Sequence, residues 1–134
     1  MLVDTSVWID YFNGHASSQA NRLAVAIADG ESIVIPGLVL TEILLGLPSE
    51  SESIKIAGLL SAFNLLNEPN PADYVEAARI YRLCRSKGYT IRSTIDCIIV
   101  QLCLRDNWPL LCKDRDFINI AKCLPLQLVT TEQH

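Results

Sequence analysis

The sequence predicts one domain with an α/β fold, in which helices cover a parallel β-sheet. Short apolar runs alternate along the chain with longer segments of helical periodicity, which is the order of elements in α/β proteins. The length of 134 residues falls within the range of a single domain. Half of the residues are apolar and only 19% are charged, a composition that supports a packed core and excludes disorder caused by high charge. We therefore expect residues 1–134 to form one domain.

In the first half of the chain, apolar strands are separated by helices that end at glycines. Gly14, Gly30 and Gly46 each follow a helical segment, and Pro36 stands where a helix begins. Ser49, with a glutamate three residues later, has the pattern of a capping box at a further helix start. These signals predict strands at residues 1–4, 32–35 and 64–67 and helices at 5–13, 20–27, 38–45 and 49–63.

The second half of the chain contains two long helices. Asn70 and Pro71 form a helix start, and this helix runs to about residue 86. Residues 93–104 are apolar on all sides apart from Asp96 and Gln101, which is typical of a helix buried in the core. Two further strands, at 110–112 and 126–129, flank a small helix at 116–121. Strands connected by helices in this way are expected to pair in parallel.

We expect neither a membrane-spanning segment nor a leader peptide. No apolar run approaches the roughly 20 residues that a membrane helix needs, and Met1 is followed at once by Leu2, Val3 and Asp4. The expectation is a cytoplasmic protein without membrane contacts. The five cysteines form no Cys-x-x-Cys pair and mostly lie among apolar residues, so we expect buried, reduced thiols rather than a zinc site.

Five carboxylates stand out because of their positions relative to the predicted strands and helices. Asp4 ends the first strand, and Asp114 and Asp116 follow the fourth. Asp96 lies in the first turn of the apolar helix. Glu42 lies in the middle of another largely apolar helix, where the burial of an unpaired carboxylate costs several kcal/mol.

Each of these carboxylates also has an ordinary structural interpretation. Asp4 could cap the helix that follows it, and Asp96 could complete a capping box with the serine three residues before it. Asp114 or Asp116 could cap the short helix after the fourth strand. Glu42 could lie on a solvated helix face.

Taken together, the five positions predict a metal site. Ligands of open α/β sheets bind where the carboxyl ends of the strands meet the starts of helices. Several carboxylates at that edge cannot all stay ionised without a cation, and Mg²⁺ or Mn²⁺ prefers oxygen ligands. The net charge of −4 is consistent with this interpretation, because without the five acids ten acidic residues face eleven basic ones. The acidic total therefore does not exclude a nucleic-acid substrate.

Four motifs carry a resemblance to a known family. They are Asp-Thr-Ser-Val-Trp-Ile-Asp at 4–10, Thr-Glu-Ile-Leu-Leu-Gly at 41–46, Thr-Ile-Asp-Cys-Ile-Ile at 94–99 and Lys-Asp-Arg-Asp-Phe at 113–117. In their order and spacing the chain resembles the PIN-domain nucleases, in particular the VapC-type toxins of bacterial toxin–antitoxin systems. The resemblance covers essentially the whole chain, although each motif alone would be weak.

The resemblance implies a fold and a set of site residues. The implied sheet has five parallel strands in the order 3-2-1-4-5, with helices on both faces. Asp116 would be a fifth acidic member or would support the others, and Thr5 and Ser6 would orient a carboxylate or a water, although helix capping explains these two hydroxyls equally well. Asp4 and Asp96 would be the main metal ligands. The implied catalytic and metal-binding acids are Asp4, Glu42, Asp96 and Asp114.

The resemblance also implies an activity and partners. The activity is that of an endoribonuclease in which Mg²⁺ or Mn²⁺ assists hydrolysis of RNA phosphodiester bonds. The partners are a VapB-type antitoxin, whose tail fills the site, and a second copy of the chain in a homodimer. A basic stretch interleaved with Tyr81 and Tyr89 could follow an RNA backbone, although a solvated helix face has the same pattern. Its members are Arg79, Arg82, Arg85, Lys87 and Arg92.

Three other classes of protein share part of this pattern. A receiver domain gathers aspartates at strand ends and has a lysine like Lys113, but it does not explain Glu42 and it needs paired acids after the first strand. A phosphatase with an Asp-x-Asp nucleophile is disfavoured because that pair occurs only late, at Asp114 and Asp116. A catalytically silent RNA-binding or scaffold module is the main alternative that is not an enzyme. Stable phosphorylation would favour the receiver, and RNA binding without cleavage the silent module.

Overall fold

The protein has an α/β architecture with seven helices and four short strands in the described part of the chain, and two helices separate each strand from the next. A computed structural model describes residues 1–66 and 69–131. The strands are β1 (Leu2–Val3), β2 (Val34–Ile35), β3 (Asn64–Leu65) and β4 (Leu110–Leu111). The helices are α1 (Thr5–Asn13), α2 (Ser18–Ala28), α3 (Gly37–Leu45), α4 (Glu50–Leu60), α5 (Pro71–Ser86), α6 (Thr94–Asp106) and α7 (Arg115–Cys123).

Local sequence signals explain where the main helices begin. Ser17 and Ser49 accept hydrogen bonds from the backbone three residues on, at the starts of α2 and α4. Asn70 and Asp73 form a reciprocal capping box at the start of α5, with Pro71 in the first helical position. The predicted helix starts at residues 49 and 70–71 are therefore confirmed.

The sheet is parallel and has the strand order β3-β2-β1-β4. In the register of the central pair, Leu2 lies opposite Leu110 and Val3 lies opposite Leu111. From β1 to β3 the chain moves towards one edge of the sheet, and from β3 to β4 it returns to the other edge. Since crossovers between parallel strands are generally right-handed, this order is expected to place α1–α4 on one face and α5–α7 on the other. The helix contacts agree, since α5 packs against α6 and α7 whereas α1 packs against α2 and α3.

The expected fifth strand is reduced to a single bridge between Leu110 and Leu128. The expectation of five full strands is therefore corrected to four. The reason is the short length of β4: Leu110 bonds to residues 127 and 129, whereas Leu111 accepts a bond from Asp4 on the other side. Residues of a strand bond to alternate sides, so β4 offers only one residue to a fifth strand before the chain leaves the sheet. The predicted third strand ended at residue 67, which lies outside the described residues.

The core lies between the sheet and its two helical layers. β1, β2 and β4 are buried throughout, and the largest fully buried side chains are Trp8 from α1 and Phe117 from α7. All five cysteines are free thiols, of which three are buried and two are partly buried. None of the helices formed by the described residues combines the length with the apolar character that a membrane-spanning helix requires.

Candidate functional site

The parallel sheet brings acidic side chains from opposite ends of the sequence to one edge. Asp4 directly follows β1, and Asp114 lies three residues after the end of β4. The two strands are neighbours, and the Asp4 amide donates a hydrogen bond to the Leu111 carbonyl at 2.9 Å. Because both strands end at the same edge, residues that are 110 positions apart in the sequence reach one site.

Asp4 is buried, with 6% of its surface exposed. It occupies the N-cap position of α1, but its side chain makes no capping hydrogen bond. Its Oδ2 instead accepts a hydrogen bond from the Ser6 hydroxyl at 3.1 Å. The capping alternative for the Asp4 carboxylate is therefore not realised, and the Ser6 hydroxyl orients it.

Glu42 reaches the same site from α3. Its Oε1 accepts a hydrogen bond from the Thr5 hydroxyl at 2.9 Å, and the side chain is partly buried. The bond joins the middle of α3 to the first turn of α1, immediately after Asp4. Glu42 is thus held inside the site and is not on a purely solvated helix face.

Three further carboxylates form the tightest acidic group. One oxygen from each of Asp96, Asp114 and Asp116 lies within 4.8 Å of the other two. Asp114 also caps α7, because it accepts a hydrogen bond from the Asp116 amide at 2.8 Å. Ser93, at the N-cap of α6, makes no side-chain capping bond, so the capping box predicted as an alternative for Asp96 does not form. Asp4 and Glu42 stand outside this group of three in the described part of the chain.

The pKa values of two acids record the crowding of negative charge. Burial, together with repulsion from Asp4 and Asp114, raises the pKa of Asp96 to about 7. Burial is also the main cause that raises the pKa of Asp4, and the charges of Glu42 and Asp114 add to it. The five carboxylates therefore act on one another electrostatically, even though only three are in the tightest group.

Arg92 is a site residue that the sequence did not place here. It lies in the loop between α5 and α6, and its guanidinium pairs with Asp114 and Asp116 at 3.3 Å each. Its backbone amide donates a hydrogen bond to Asp116 at 3.1 Å. The sequence signal that could have shown this is Gly88. Its φ of 92° turns the chain sharply after α5, so that Arg92 does not continue the basic face of that helix.

Lys113, by contrast, does not serve the acidic group. It forms an ion pair with Asp10 of α1, although it is the direct neighbour of Asp114 in the sequence. Lys113, which resembled the lysine of a receiver domain, therefore joins α1 to the loop between β4 and α7.

The donor set of this edge fits a hard divalent cation. The three oxygens of the tightest group come from carboxylates, which are the protein ligands that Mg²⁺ and Mn²⁺ prefer. Burial and the neighbouring carboxylates raise the pKa values of Asp4 and Asp96, and a bound cation would favour the charged form of both. The arrangement can therefore hold a metal ion.

The fold and the acidic edge define a PIN domain. The sequence pattern of that family matches residues 1–122, and the chain belongs to the PIN domain family. It is similar to the VapC ribonuclease Mb1587 of Mycobacterium bovis, with 31% identity over 128 residues that cover 95% of this chain and 96% of the relative. The same identity and coverage hold for ribonuclease VapC11 of Mycobacterium tuberculosis.

A solved structure has the same fold. The chain superposes on one from VapBC2 of Rickettsia felis, crystallised with a DNA fragment from its promoter, with a TM-score of 0.73 and coverage of 96% of both chains. Only 20% of the aligned residues are identical, so this likeness is evidence for the fold alone.

Proposed function

We propose that the protein is the toxin of a VapBC-type toxin–antitoxin pair and acts as a metal-dependent endoribonuclease. The observation that carries the proposal is the convergence of Asp96, Asp114 and Asp116, whose oxygens lie within 4.8 Å of one another. Asp4 and Glu42 lie close enough to influence the pKa of Asp96. The relatives named VapC ribonuclease, at 31% identity over nearly the whole chain, support the same activity.

In the proposed site, Asp4, Glu42, Asp96 and Asp114 hold Mg²⁺ or Mn²⁺. Asp116 joins them or orients them from the side of α7. When bound, the cation supplies Lewis-acid stabilisation of the negative charge that develops on the phosphodiester during hydrolysis.

The chain's own residues position the water and the carboxylates. A carboxylate that is not fully used as a ligand orients the attacking water and accepts its proton. The Thr5 hydroxyl fixes Glu42 through its 2.9 Å hydrogen bond, and the Ser6 hydroxyl fixes Asp4 through its 3.1 Å bond. No covalent nucleophile is required.

The proposed partners are a VapB-type antitoxin, a second copy of the chain and RNA. The antitoxin is supported by the relatives named VapC ribonuclease, at 31% identity over nearly the whole chain. In the proposed complex the antitoxin tail covers the acidic edge. Exposed basic residues along the outer side of α5, such as Arg82 and Arg85, would follow the RNA backbone.

The test is RNA cleavage by the purified, antitoxin-free chain in Mg²⁺, in Mn²⁺ and in EDTA. Asp96→Asn keeps the size of the side chain and removes one ligand charge, so cleavage is expected to fall at least about 100-fold. Asp106→Asn is the matched control, because it makes the same chemical change at the far end of α6, where Asp106 pairs with Arg105. The control is expected to cleave RNA as the wild type does.

The outcomes separate the proposal from its main alternative. Cleavage that requires metal, is lost in Asp96→Asn and persists in Asp106→Asn supports the endoribonuclease. RNA that is bound but stays intact in every metal, with protein shown to bind the metal, identifies a silent RNA-binding module instead.

A further inference from the structure

Within the described residues, Arg92 is the one basic side chain that forms ion pairs with the five carboxylates of the site. One terminal nitrogen contacts Asp114 at 3.3 Å, and Nε contacts Asp116 at 3.3 Å. A single guanidinium therefore bridges two members of the tightest acidic group. The same two carboxylates belong to the proposed metal site, so the guanidinium and a metal ion compete for them.

The Arg92 side chain is easy to displace. It remains 73% exposed while it makes both ion pairs. Solvent screens such pairs, so each contributes little to stability. Arg105 differs, because only 22% of its side chain is exposed where it pairs with Asp73 and Asp106. Arg92 can thus leave its carboxylates more easily than Arg105 can.

The backbone of Arg92 holds Asp116 independently of the side chain. The Arg92 amide donates to Asp116 Oδ2 at 3.1 Å, and this bond does not depend on where the guanidinium points. Asp116 is itself buried, with 6% of its surface exposed. The guanidinium is therefore not required to keep this carboxylate in place, which argues against a purely structural role.

We propose that Arg92 is an exchangeable counter-ion, which neutralises Asp114 and Asp116 before a metal ion binds and afterwards turns to a phosphate of the RNA. The planar guanidinium suits both partners, because carboxylate and phosphate each accept two parallel hydrogen bonds from it. A residue in this position keeps the site closed to metal when no substrate is present and adds a phosphate contact when it is. Both steps rest on the metal site of the proposed function, and the second step rests also on its action on RNA.

The decisive experiment is a Mn²⁺ titration of the full, antitoxin-free chain by calorimetry at low ionic strength. Arg92→Gln removes the competing charge and keeps the backbone amide. We expect it to bind Mn²⁺ roughly three- to tenfold more tightly than the wild type, the range that two exposed ion pairs would give. Arg92→Lys keeps the charge but lacks the planar guanidinium that donates two parallel hydrogen bonds, and it is expected to give an intermediate Mn²⁺ affinity. The gain is expected to shrink as salt is added.

Arg115→Gln is the matched control for the titration. It removes the same charge next to Asp114 in the sequence, and the Arg115 side chain is exposed and makes no ion pair with any residue that the structure describes. Its Mn²⁺ affinity is expected to stay close to that of the wild type. An equal gain in Arg92→Gln and Arg115→Gln would reduce the effect to general charge and overturn the proposal.

A second measurement tests the turn towards RNA. At saturating Mn²⁺, Arg92→Gln is expected to raise the KM for RNA roughly three- to tenfold and to change kcat less, since one phosphate contact is lost. Tighter metal binding combined with weaker substrate binding is a pattern that a structural role does not produce. Metal affinity that is unchanged or weaker in Arg92→Gln, in protein whose thermal unfolding matches the wild type, overturns the inference.

Failure of the inference and failure of the proposed function remain distinguishable. A wild type that binds Mn²⁺ and cleaves RNA, beside an Arg92→Gln that binds Mn²⁺ no better, contradicts the inference and leaves the nuclease intact. A wild type and an Arg92→Gln that both fail to bind Mn²⁺ contradict both.

Discussion

Two aspartates in equivalent helix positions have opposite electrostatic environments. Asp73 and Asp96 are each the third residue of their helices, α5 and α6, which pack against each other. Asp73 completes a capping box with Asn70 and accepts bonds from Gln101 at 3.1 Å and Arg105 at 2.8 Å. The hydrogen bond from the Asn70 backbone is the main cause that holds its pKa below the ordinary value.

Asp96 receives none of this support. Ser93 does not cap α6, and burial, together with repulsion from the neighbouring carboxylates, raises the pKa of Asp96 to about 7. The comparison separates an acid whose charge is compensated inside the fold from one whose charge faces other carboxylates, which is the environment expected of a proposed metal ligand. The spacing of apolar residues is helical in both cases, so position within the helix does not distinguish them.

The largest expected effect comes from breaking the compensated acid. Asp73→Asn is expected to lower the free energy of unfolding by about 3 kcal/mol, because it removes one partner of a buried ion pair and weakens the capping box. Urea unfolding measures this loss. Glu76→Gln, one turn later on α5, removes an exposed pair with Arg79 and is expected to change stability by less than about 0.5 kcal/mol. Equal losses in the two variants would show that Asp73 is not compensated as described.

An opposite and smaller effect is expected at Asp96. At pH 8, above its raised pKa, Asp96→Asn is expected to stabilise the metal-free protein by about 1 kcal/mol, the repulsion between two unit charges about 4 Å apart in water. Thermal unfolding in EDTA measures the change. Added Mn²⁺ is expected to raise the melting temperature of the wild type more than that of the variant. If Asp96→Asn destabilises the protein, then repulsion between Asp96 and the other carboxylates does not lower the stability of the metal-free protein.

The smallest effect is a change in the pH dependence of stability. Because the pKa of Asp73 is lowered by folding, its contribution is fully present above the ordinary aspartate pKa of about 3.9 and is lost as the pH falls through the lowered value. The difference in stability between wild type and Asp73→Asn is therefore expected to stay constant from about pH 7 to pH 5 and to narrow below about pH 4. Urea midpoints across this range measure it, and a gap that widens in acid would contradict the assignment.

The sequence predicts the elements of the fold well because each depends on local chemistry. The glycines and prolines between helices, and the cap at Asn70, are short-range signals that the structure realises. The expected strand order is confirmed for the four strands that form. The fifth strand could not be predicted correctly, because its length depends on how many residues β4 leaves unpaired, which is a property of the assembled sheet.

In the candidate site, too, some features follow from the local sequence and others depend on how the whole chain folds. Motif spacing predicted that five carboxylates meet, and the structure brings them to one edge. Spacing could not give the grouping of Asp96, Asp114 and Asp116, nor the contact from Arg92, because these depend on the loop before α6 folding back onto α7. Sequence alone assigned Arg92 to a basic stretch with residues that lie on α5. The roles of the individual acids in metal binding and catalysis stay predictions.

The pairing of β1 with β4 also sets when activity can appear during protein synthesis. Asp4 is made well before its neighbours across the site, Asp114 and Asp116, which follow it in the chain by 110 positions or more. A ribosome that has not yet passed β4 carries a chain without a complete acidic group, so under the proposed roles of these acids the unfinished protein is expected not to cut the RNA around it. For an enzyme proposed to attack RNA, an active site built from such distant segments is expected to form only after both segments have been synthesised.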